Sequence, residues 1–80
     1  MPNELRSAFI TYEEARKLIP FFMVAKKEAP MIEARRSSSR LIEELKNVRN
    51  EDYSPFKGYQ LLLHEADYIF LMDTMEALEL

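Results

Sequence analysis

Apolar and polar positions along this chain follow a helical rhythm more readily than a strand rhythm. Thr11-Tyr12-Glu13-Glu14 opens the first clear element as a capping box. The Thr11 hydroxyl accepts from the Glu14 amide, and the Glu14 carboxylate reaches back to the Thr11 amide. Ala15, Leu18 and Ile19 then give one apolar side. Pro20 is too deep for a first-turn proline, so a helix over 12–19 is expected to stop or kink before it. From 20 to 50 the pattern stays helical in two phases. Phe21, Val24, Ala25 and Ile32 share one face; Ala34, Ser38, Leu41, Ile42, Leu45 and Val48 share another. The two faces differ by roughly a third of a turn. One long helix over 20–50, kinked at Pro30, reconciles them; a helix–loop–helix broken at Pro30 or in Ser37-Ser38-Ser39 is the alternative. Residues 50–53 read as a polar turn. Ser54 and Pro55 read as the N-cap and first position of a third helix over 55–79. Residues 1–10 are too short to assign and are treated as an N-terminal arm.

On a helical wheel the third helix is apolar on two sides. Tyr59, Leu62, Leu63, Ala66, Phe70, Ala77 and Leu80 fall on one, and Leu61, His64, Tyr68, Leu71, Met72 and Met75 nearly opposite. Both sides need cover. The second helix supplies one cover, and a second subunit is the natural source of the other. The pattern therefore predicts an all-α single domain over 1–80: a short capped helix, then a long antiparallel helical hairpin, assembled into a homo-oligomeric helical bundle. Leu61, His64, Tyr68, Leu71, Met72 and Met75 are the expected self-interface or partner groove.

Composition narrows the class. Eighty residues suit one small domain with a limited core. There is no cysteine, hence no disulfide and no thiolate metal site, which fits a cytoplasmic protein. Neither a signal peptide nor a membrane span is legible, so no membrane partner is expected. The net charge of −3 conceals an asymmetry. Residues 1–40 hold eight basic and five acidic side chains, and residues 41–80 hold three and nine. That balance argues against nucleic acid as a partner. It favours an antiparallel register placing Lys26 and Lys27 opposite Glu76 and Glu79, and Arg35 and Arg36 opposite Asp67 and Asp73.

The candidate chemistry is sparse. Arg35-Arg36-Ser37-Ser38-Ser39-Arg40 offers guanidinium forks and hydroxyls suited to phosphate oxygens. Tyr12, Lys26, Lys27, Arg35, Arg36, Ser39 and Arg40 form the candidate anion site, set against a plain solvated face paired with the acidic third helix. His64 stands alone, with Asp67 and Tyr68 at the next helical positions; one histidine without cysteine makes a poor metal site. Asp73 falls among apolar neighbours and is expected to meet a cation. No nucleophile has a base and orienter beside it, so neither catalysis nor a cofactor is expected. The reading that follows is a small non-enzymatic protein-interaction module, a regulator or inhibitor of another protein and itself a homo-oligomer. The alternative is an oligomeric binder of a small anion, such as a nucleotide, through the Lys/Arg/Tyr site.

Overall fold

The structure, a computed structural model, describes residues 4–49 and 58–80. It is mixed α/β, which corrects the all-α bundle. Strand β1 (Leu5–Ile10) leads into helix α1 (Tyr12–Glu28) and helix α2 (Ile32–Leu45). Strand β2 (Tyr59–His64) follows and runs directly into helix α3 (Glu65–Ala77). The strands pair antiparallel, from Leu5 opposite His64 to Ile10 opposite Tyr59. The expected arm is thus β1, and the first part of the expected third helix is β2. The turn at 50–53 and the Ser54-Pro55 helix start lie outside the described residues.

Alternation defines what the sheet covers. Ala8, Ile10, Leu61 and Leu63 point inward and are buried. Side chains on the same strand face lie two residues apart. Gly58 enters β2 with φ +73°, and a Cβ there would stand 2.6 Å from the Ile10 carbonyl oxygen. Only glycine combines that backbone angle with so close an approach. It fixes β2 against the junction of β1 and α1.

The capping box at Thr11 forms as expected: the Glu14 amide donates to Thr11 Oγ1 at 3.1 Å and the Thr11 amide donates to Glu14 Oε1 at 2.9 Å. The helix does not stop at Pro20, however; it continues to Glu28. Ala15, Leu18 and Phe22 form one buried stripe straddling the proline, while Pro20 itself is exposed. Burying those side chains outweighs the lost backbone bond, about 3 kcal/mol in a helix interior. At Pro30 no such stripe continues. Ala29, the residue before it, is extended at ψ 138° and the helix ends there. The two expected helices over 12–19 and 20–50 are therefore a tight hairpin divided at Pro30.

In α2 the buried positions are Ser37, Ser38, Leu41, Ile42 and Leu45, so the serine run is packed inside the helix and does not break it. Phe22 of α1 meets Phe70 of α3 with ring centroids 5.5 Å apart. In α3 the buried positions are Asp67, Leu71 and Thr74. Asp73, expected among apolar neighbours, is exposed. The helix ends at Ala77 in a Schellman turn: Leu80 N–H donates to the Met75 carbonyl at 2.9 Å and Glu79 N–H to the Glu76 carbonyl at 3.1 Å. Glu79 adopts φ 59°, the left-handed position usually given to glycine.

Candidate functional site

Two places have a polarity that packing alone does not explain. The first lies where α2 meets the first turn of α3. Asp67 is 4% exposed. Arg40 grips it with a fork: Nε donates to Oδ2 at 2.8 Å and Nη2 to Oδ1 at 2.9 Å. Ser37 Oγ donates to Oδ1 at 2.7 Å, and Arg40 Nη2 also reaches Ser37 Oγ at 3.3 Å. Burial raises the Asp67 carboxyl pKa. The hydrogen bonds from Arg40 and Ser37, with the positive charge of Arg40 and the field of His64, outweigh that and hold it below its ordinary value. The hydrogen bond to Asp67 raises the Arg40 guanidinium in turn; burial opposes this, while the charges of Asp67 and Glu33 assist it. Asp67 is thus an ionised carboxylate whose two oxygens are both committed within the fold. Next to Ser37 in the chain, Ser38 Oγ is buried with no hydrogen-bond partner among the described residues.

The second place is the outward face of the sheet. Cross-strand partners share a face, so Leu5 with His64, Ser7 with Leu62, and Phe9 with Gln60 all point away from the core. Leu5, Phe9 and Leu62 are 47%, 50% and 54% exposed. Gln60 Nε2 donates to Ser7 Oγ at 2.8 Å, satisfying the two amide and hydroxyl groups on this face with each other. No Asp, Glu, Lys or Arg lies among these six positions. Beside β2 the face runs into a concavity of about 360 Å³, in which Leu5, Leu62 and His64 meet Glu43, Glu44 and the Arg40–Asp67 pair. The other edge of each strand is unpaired among the described residues. Native sheets blunt such edges with charge or proline. Here Arg6 is the charged residue of β1; it stacks over Tyr68 at 4.4 Å and approaches Glu65 at 3.6 Å.

The residues expected to form the self-interface do not share one surface. Leu61 and Leu71 are core. Tyr68, Met72 and Met75 are half-buried and pack against that core. Only His64 is exposed, at the N-cap of α3 and on the outward sheet face. The apparent two-sided helix arose from a strand and a helix read as one element.

The candidate anion site is also dispersed. Tyr12 opens α1 while Lys26 and Lys27 close it, roughly 20 Å apart at 1.5 Å per residue. Arg40 is engaged by Asp67, the role expected for Arg35 or Arg36, and those two arginines and Ser39 are exposed along α2. Tyr12 has Arg16 over its ring at 5.8 Å. Among the described residues no group of His, Asp and Glu is arranged to hold a metal ion, and no helix is long and apolar enough to cross a membrane.

Sequence reasoning missed Leu5, Phe9 and Leu62, and it missed the Ser37–Asp67 contact. A glycine immediately before Tyr59-Gln60-Leu61-Leu62-Leu63 was the available sign of a strand entry. Comparison with protein-family models, with curated proteins and with solved structures gives no match for this chain.

Proposed function

We propose that the protein is a non-enzymatic interaction module that presents the outward face of its β1–β2 sheet to another protein. One observation supports this above the others: Leu5, Phe9 and Leu62 stand about half exposed on a face without a formal charge, in a chain 31% charged. A two-stranded sheet is marginal alone, and one with three apolar side chains bare on its outward face gains by being covered. Hiding such side chains contributes about 1.5–3 kcal/mol each when burial is complete. The unpaired strand edges add backbone donors and acceptors that a partner strand satisfies. An inhibitor or regulator needs nothing more: a rigid small scaffold and one adhesive face.

The test is a photo-cross-linking amino acid placed at Phe9, or at Asp73 on the exposed side of α3 as control, in cells that normally make the protein. The expected result is one discrete adduct from the Phe9 position that Leu62→Glu abolishes, and none from Asp73. Absence of an adduct at Phe9, or the same adducts from both positions, would sink the proposal.

A further inference from the structure

Helix α1 carries a second apolar stripe, separate from its buried one. Phe21 and Val24 are 41% and 57% exposed. With Ala25, Glu28 and Ala29 they line a shallow apolar concavity of about 430 Å³. Lys17, Phe21, Val24 and Glu28 follow one another at intervals of four, three and four residues. At 100° per residue they lie within a sector of about 60°. That is the spacing of a helix-pairing seam, in which side chains of one helix seat between those of another. The seam has a charge at each end and none between. Lys17 and Glu28 are exposed, and neither has an ion-pair partner among the described residues.

The arrangement is complementary to its own reverse. We propose that α1 pairs with the α1 of a second copy, antiparallel, about a two-fold axis passing between Phe22 and Met23. In that register Phe21 of each copy faces Val24 of the other, and Lys17 of each faces Glu28 of the other. Ala25 leaves room for the opposing phenyl ring. A parallel pairing instead sets Lys17 against Lys17 and Glu28 against Glu28, so the end charges select the antiparallel form. Pro20 is exposed and flanks the seam, about 40° outside Val24 and about 100° from Phe21, so it borders the contact without lying within its sector. The closed two-fold contact uses one patch twice, as isologous dimers do. The seam uses no residue of the outward sheet face, so this inference does not rest on the function proposed above.

Sedimentation velocity across a wide concentration range provides the test. The wild-type chain is expected to pass from monomer to dimer as concentration rises. Lys17→Glu and Glu28→Lys each bring like charges together and are expected to weaken the dimer at least about tenfold. Both positions are exposed, so thermal melts of the two variants are expected to match wild type at low concentration. Mixing the two variants restores association as a heterodimer, and the double variant restores the homodimer. Leu62→Glu leaves the dimer unchanged, which separates this contact from the sheet face. A wild-type monomer at every concentration overturns the proposal. So does a dimer indifferent to both charge reversals, or one that the mixture and the double variant fail to restore.

Discussion

The α2–α3 junction and the outward sheet face invert the usual placement of polarity in opposite senses. At the junction a carboxylate is inside; on the sheet, leucines and a phenylalanine are outside. The difference lies in whether the molecule answers its own anomaly. Asp67 receives a two-pronged grip from Arg40 and a third bond from Ser37, so its burial is settled within the chain. Leu5, Phe9 and Leu62 receive nothing comparable. An internally answered anomaly is architecture. An unanswered one is the basis on which a partner is proposed for the sheet face.

Breaking the junction gives the largest expected effect, and it is asymmetric. Arg40→Met strands a buried carboxylate with only Ser37 for company and is expected to cost about 3 kcal/mol in urea unfolding, the lower end for a broken buried pair because Arg40 is itself half in water. Asp67→Asn leaves an acceptor in place and frees Arg40 to turn to solvent, so about 1 kcal/mol is expected. Equal losses would mean that the arginine acts by packing rather than by charge. The same pair gives the molecule an acid-sensitive component. Because the folded Asp67 carboxyl lies below its unfolded value, its contribution is complete above about pH 4 and is lost as pH falls through the folded-state pKa. Unfolding free energy measured against pH should show this limb in the wild type and a shallower one in Asp67→Asn. On the sheet face the expected change is smallest. Leu62→Thr should alter stability by no more than about 0.5 kcal/mol, as exposed positions do. A loss above about 1.5 kcal/mol would show that the face is covered within the molecule itself.

Much of the helical part was legible because its signals are local. The Thr11–Glu14 box needs four residues and nothing else. The buried side of α2 was readable as Ala34, Ser38, Leu41, Ile42, Leu45 and Val48, since 3.6-residue periodicity survives any tertiary context. The choice between Pro20 and Pro30 was not local: it depended on Phe22 finding a buried place beyond Pro20, partly against Phe70. The strands were hidden for two reasons. Tyr59–His64 is leucine-rich, and leucine favours helices. Its outward Leu62, between Gln60 and His64, also breaks the polar half of the alternation, so one of the exposed side chains of the face is the one that disguised the strand. Asp67 was noticed as a polar seam position, but its partner proved to be Arg40, because the helix runs through the serines and brings Ser37 and Arg40 to one side.

The register that joins Ile10 to Tyr59 and Leu5 to His64 also sets the order in which the molecule is put together. The α1–α2 hairpin is divided only by residues 29–31 and forms through near neighbours, whereas the sheet must close a loop of about 50 residues. By simple chain statistics that closure costs roughly 3.5 kcal/mol beyond a constant term, and such long-range pairings slow folding. During synthesis β1 emerges well before the strand it pairs with. For that interval Phe9 and Ile10 share an unpaired segment, while the near-neighbour contacts between α1 and α2 are already within reach.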